Sequence, residues 1–101
     1  MPPDRSRVLQ QAQLLASRGQ YEAAIAEWKK LAADSPADGT IHNTIGDLQL
    51  KRNASGEAAT AFLQAASAFR AEGATLKAIA AFKKVLKYDP ARYEVYRHLG
   101  D

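Results

Sequence analysis

Gly19-Gln20-Tyr21-Glu22-Ala23-Ala24-Ile25-Ala26-Glu27-Trp28-Lys29-Lys30-Leu31, closed by Pro36, decides the reading of this chain. Ala24, Ile25, Trp28 and Leu31 recur at i, i+1, i+4 and i+7, which lays one apolar stripe along an α-helix. A second copy runs from Gly73 to Val85 and is closed by Pro90. There Ala78, Ile79, Phe82 and Val85 hold the same places, and Gly73, Ala80, Lys83 and Lys84 repeat Gly19, Ala26, Lys29 and Lys30. The offset is constant, since 73 − 19 and 90 − 36 both give 54. A repeated helical unit is therefore the first fact about the protein.

Outward from these copies, the chain reads as five helices and the start of a sixth. The first spans about 4–18, with Asp4 as its cap and Gly19 as its stop. The second spans about 20–33, and so short a connection forces the two into an antiparallel hairpin. Pro36 ends it, because proline lacks an N–H and clashes with a preceding turn. A third helix is expected over about 39–52, striped by Ile41, Ile45 and Leu48. Asn53-Ala54-Ser55-Gly56 follows as a break, with Ser55 as a candidate N-cap. The fourth helix, about 56–72, is apolar around much of its girth: Ala58, Phe62, Ala65, Ala66 and Phe69, widened by Ala61, Leu63 and Ala68. That breadth predicts helices packed on two sides of it. The fifth spans about 74–88, and Asp89-Pro90 opens the sixth, with Val95, Tyr96 and Leu99 starting its stripe. No run alternates in the manner of a β-strand.

The pattern resembles the tetratricopeptide repeat, written W-x2-L-G-x2-Y…A-x3-F…P over about 34 residues. The first copy is Val8-x2-Gln11-Ala12-x2-Leu15…Ala24-x3-Trp28…Pro36. The second is His42-x2-Ile45-Gly46-x2-Gln49…Ala58-x3-Phe62. The third is Phe62-x2-Ala65-Ala66-x2-Phe69…Ala78-x3-Phe82…Pro90, and a fourth opens at Tyr96-x2-Leu99-Gly100. The resemblance implies an all-α, right-handed superhelix of antiparallel hairpins. One domain over 1–101 would hold repeats at about 5–38, 39–72 and 59–92 and a partial repeat at 93–101, as a segment of a longer protein. The second and third repeats overlap through the fourth helix, because the proline offset is 54 rather than two periods of about 34. Small Gly46, Ala12 and Ala66 mark close helix crossings, answered by Ala24, Ala58 and Ala78. Trp28, Phe62 and Phe82 are expected to fill the space between hairpins, which must stack because one hairpin alone leaves this face in water. On that reading Trp28→Ala costs roughly 3–5 kcal/mol.

Composition narrows the function. A 101-residue chain can bury roughly 60–70% of its unfolded surface without staples. It has no cysteine, so disulfides and thiolate metal sites are excluded. No apolar run suits a signal peptide or a membrane span, and a cytoplasmic location is expected. The net charge of +3 comes from 14 basic and 11 acidic residues that are interspersed, the ordinary pattern of a solvated surface. Among possible catalytic groups, His42 stands where Tyr96 and Phe62 stand in the other copies, a packing place. His98 has no partner at metal spacing, and Asp47 and Asp101 read as solvated helix residues. The six glycines are scattered at helix ends or crossings and make no phosphate loop. No catalytic residue, cofactor or metal is expected.

The expectation is a non-catalytic scaffold that binds a peptide or helix of a partner protein. By resemblance the first helix of each hairpin lines a groove, and the polar residues expected there are Gln13, Asn43, Asp47, Lys51, Arg70 and Arg97. Self-association through the end that carries Tyr93, Val95, Tyr96 and Leu99 is an alternative. RNA binding is a weaker one, since Leu9, Asn43 and Leu63 make a poor base-reading row and the charge is small. Co-chaperone members of the family grip a terminal carboxylate through Lys, Asn and Arg. The corresponding places here hold Leu9, Gln13, Thr44, Thr60 and Gln64. Calorimetric titration with a terminal acidic chaperone peptide is therefore expected to show no binding at about micromolar affinity. A clear saturable isotherm would contradict this.

Overall fold

The computed structural model describes residues 4–91, which form five α-helices and, among the described residues, no strand. They are α1 (Arg5–Ser17), α2 (Tyr21–Asp34), α3 (Gly39–Lys51), α4 (Ser55–Ala71) and α5 (Thr75–Tyr88). Each helix packs against the next in the chain, and α4 packs as extensively against α5 as against α3. The architecture is an all-α helical repeat solenoid. The expected sixth helix, and Arg97 with it, lies outside the described residues.

Three of the four connections are one local device. Gly19, Asn53 and Gly73 adopt the left-handed conformation, with φ of 75°, 61° and 81°. At each, the next residue's N–H reaches back to a carbonyl five residues earlier: Gln20 to Leu15 at 2.9 Å, Ala54 to Gln49 at 2.8 Å, Ala74 to Phe69 at 2.8 Å. These are Schellman closures, which satisfy carbonyls that the helix end leaves open. The device corrects the expected role of Ser55. It is the first residue of α4, Ala54 stands at the cap position, and no side chain caps the helix. The hairpin is instead set from the α3 side, by Asn53.

The α2–α3 connection is built differently. Pro36 stops α2, and Asp38 caps α3, its Oδ1 accepting from the N–H of Thr40 at 3.0 Å and of Ile41 at 3.4 Å. Asp4 caps α1 as expected, accepting from Ser6 and Arg7. His42 is buried, and its Nε2–H donates to the Pro36 carbonyl at 2.8 Å, so it pins this connection to α3.

The core is one stripe continued from helix to helix. Val8, Ala24, Ile25, Leu31, Ile41, Ile45, Leu48 and Ala61 form its first part, across α1 to α4. Ala65, Ala66, Phe69 and Ala81 join α4 to α5, and Ala58, Phe62 and Val85 complete the centre. The three aromatic residues expected between hairpins are not equivalent. Phe62 is fully buried, whereas Trp28 and Phe82 are half-buried at the edge of their clusters. A helix with neighbours on both sides, as α4 has, encloses its central ring. The loss expected for Trp28→Ala therefore belongs to Phe62→Ala, at roughly 3–5 kcal/mol.

Two glycines set the distance between α3 and α4. A Cβ built on Gly46 would stand 2.5 Å from the Phe62 ring, and one on Gly39 would stand 2.6 Å from the Phe69 ring. The two glycines are seven residues apart, and so are the two rings, so the antiparallel helices meet twice, two turns apart. Gly56 meets nothing within 4 Å. Ala in a helix is favoured over Gly by about 1 kcal/mol. Forcing a methyl into a packed core costs about 1–3 kcal/mol. Urea unfolding of Gly56→Ala should therefore show a gain of up to about 1 kcal/mol. Gly46→Ala should show a net loss of up to about 2 kcal/mol. Equal gains in both variants would mean that α3 does not lie against the Phe62 ring.

Candidate functional site

The residues expected to bind a partner separate in space. Asn43 and Asp47 stand one turn apart on α3 and meet Lys84 of α5, a repeat position that was not among the residues expected to bind a partner. Lys84 Nζ donates to Asn43 Oδ1 at 3.4 Å and lies 3.6 Å from Asp47 Oδ1. The same ammonium sits over the face of Phe62, 4.8 Å from the ring centroid, where the negative face of the ring attracts a cation. One lysine thus spans α3 and α5 above the ring at the centre of α4. Lys77, two turns earlier on α5, lies 5.8 Å from the centroid of Phe69.

Asn43, Lys77, Lys84 and Phe69 line a shallow groove of about 280 Å³ between α3 and α5. Thr40 and Asn43 stand on the α3 side, Lys77 and Lys84 on the α5 side, and Phe69 of α4 contributes to its lining. Its chemistry is a mixed set of amide, hydroxyl and ammonium groups on an aromatic base. Such a set can hydrogen-bond a peptide backbone and pair with an acidic side chain. Lys84 and Asp47 are both partly exposed, so their ion pair is worth only about 0–1 kcal/mol and can be replaced without unfolding the chain.

Gln13 is exposed on α1, and Lys51 is exposed at the end of α3, its Nζ 5.8 Å from the centroid of the Tyr21 ring. Neither lines the α3–α5 groove. Arg70 lines a different groove, of about 830 Å³, between α4 and α5. It does so with Leu63 and Ser67. Lys84 could have been found only by knowing that α5 crosses beside α3. In sequence it is the counterpart of Lys30, which pairs with Glu27 of its own helix at 3.0 Å.

Among the described residues no group of three or more His, Asp or Glu side chains could hold a metal ion. Among them, too, no helix is long and apolar enough to cross a membrane.

Against known families, the tetratricopeptide repeat matches residues 9–74, about two thirds of the chain. The chain belongs to the tetratricopeptide repeat family. The match runs from α1 through α4 and ends at the turn before α5. No curated protein gives a significant match. Repeats of this family generally mediate protein–protein interaction and typically serve as non-catalytic scaffolds.

Proposed function

We propose that the protein is a non-catalytic scaffold that holds a segment of a partner protein along the α3–α5 groove. The observation that carries this is the convergence of Asn43 and Lys84, from two helices, on the lining of one groove, where Asp47 pairs with the same lysine. Asn43 offers both donors and acceptors to a peptide backbone, and Lys77 offers an ammonium to an acidic side chain. Lys84 is held in place by two oxygens and a ring, so little side-chain entropy remains to be lost on binding. Gln13 and Lys51 are exposed on α1 and α3 and do not line this groove. Arg70 and Arg97 are set apart from it: Arg70 faces the other groove, and Arg97 lies outside the described residues.

A display selection of random peptides on the wild-type chain, followed by calorimetry, tests this. Selected peptides should lose at least about ten-fold in affinity, 1.4 kcal/mol, on Asn43→Ala/Lys84→Ala. Gln64→Ala, exposed on α4 and lining neither groove, should bind as the wild type does. Circular dichroism of each variant would confirm its helices. Equal affinity for wild type and double variant would place the binding surface elsewhere on the chain.

A further inference from the structure

The two ends of the α3–α5 groove are built alike. At one end Gly46 of α3 faces Phe62 of α4, and Lys84 of α5 lies over that ring. At the other end Gly39 faces Phe69, and Lys77 lies over it. The spacing is seven residues on each of the three helices, two turns that return a side chain to the same face. The two ends differ in charge. Lys84 meets Asp47, and seven residues before Asp47 stands Thr40, a neutral residue that lines the groove. Seven before Asn43, which also holds Lys84, stands Pro36 with no side-chain acceptor. The nearby carboxylate of Asp38 is committed elsewhere: its Oδ1 caps α3 and its Oδ2 pairs with Arg5. Among the described residues no carboxylate pairs with Lys77.

We propose that Lys77 is the subsite for one aspartate or glutamate side chain of the partner segment, whose carboxylate supplies at this end the charge that Asp47 supplies at the other. The inference rests on the groove reading above and adds the ligand's charge pattern to it. Lys77, Lys84 and Asp47 leave one uncompensated positive charge, which a single carboxylate balances. A phosphoryl group carries about −1.5 to −2 at neutral pH and exceeds it. At the Lys84 end, Asp47 repels a second acidic side chain. An ammonium has three donors, and with Asn43 and Asp47 on two of them the third suits a backbone carbonyl. From Lys77 to Lys84 the helix rises about 10.5 Å, the reach of about three residues of extended peptide. Between the two lysines α5 lines the groove with Ala80 and Ala81 alone, so a main chain can lie close against it. The ligand is thus a segment with one acidic residue and, about three residues away, an uncharged residue whose carbonyl reaches Lys84.

Peptides selected on the 1–101 chain, each paired with a version whose acidic residue is replaced by asparagine or glutamine, test this by calorimetry. The proteins are the wild type, Lys77→Met and Thr40→Asp, both changes at exposed positions. Methionine keeps an apolar stem over Phe69 and removes the charge. Thr40→Asp places a carboxylate in the first turn of α3, where the helix dipole favours it, and fills the place beside Lys77 from within. The amide peptide should bind the wild type about five-fold more weakly than the acidic one. That difference should shrink below about two-fold on Lys77→Met and on Thr40→Asp. Phosphoserine in place of the acidic residue should not tighten binding. Selected peptides that lack an acidic residue, or an acid-to-amide loss that persists on Lys77→Met, would overturn this subsite, and peptides still weakened by Asn43→Ala/Lys84→Ala would leave the groove itself standing. Tighter binding of the phosphoserine peptide would overturn the carboxylate assignment. Peptides indifferent to Asn43→Ala/Lys84→Ala would remove the groove and this subsite with it.

Discussion

The close approach of Gly46 to the face of Phe62 governs the rest of the structure. Only a residue without a Cβ lets α3 come so near to α4, and the contact at Gly39 and Phe69 repeats it two turns away. With two such points fixed, the helices can neither slide nor rotate without driving backbone into a ring. The ring of Phe62 is thereby pinned on its α3 side and closed on the other by Val85 of α5. Interiors are close-packed, so a fixed ring transmits position to everything around it. The α3–α5 groove inherits its width from this sandwich rather than from the exposed residues that line it.

Lys84 connects that core to the surface. Its ammonium rests on Phe62 from above while Asn43 and Asp47 hold it from α3. The pair with Asp47 adds little stability, since both groups are partly exposed. Its effect is to order one positive charge in a groove floored by aromatic carbon. Surface recognition by a helical repeat needs this combination of a rigid support and a few oriented polar groups. Here both come from the same three helices.

Much of the fold was legible in the sequence, because local rules decide helix ends. Asp4, Gly19, Pro36 and Gly73 each act through their own backbone or side chain, and the expected helices agree with α1 to α5 within a residue or two. The apolar girth of α4 correctly announced neighbours on two sides. What was not legible is non-local. Asn53 was read as part of a loop led by Ser55, although it stands 34 residues after Gly19 and does the same work in the left-handed conformation. Gly39 was read as a helix start and is also a seat for Phe69. Ile25 and Ile79 are alike in sequence and unlike in exposure, because burial depends on which helix lies across them. The same cause divides the expected binding residues. Asn43 and Asp47 meet Lys84, while Arg70 turns to the opposite side of α5.

The seating of α3 on the two rings can be measured directly by proton NMR of the wild-type chain. A Cα proton lying against the face of a phenylalanine is shielded by its ring current and shows through-space contacts to its ring protons. The α protons of Gly46 and Gly39 should both move upfield, with Overhauser contacts from Gly46 to Phe62 and from Gly39 to Phe69. Ordinary shifts at both glycines, with no contact to either ring, would contradict the packing on which the groove depends.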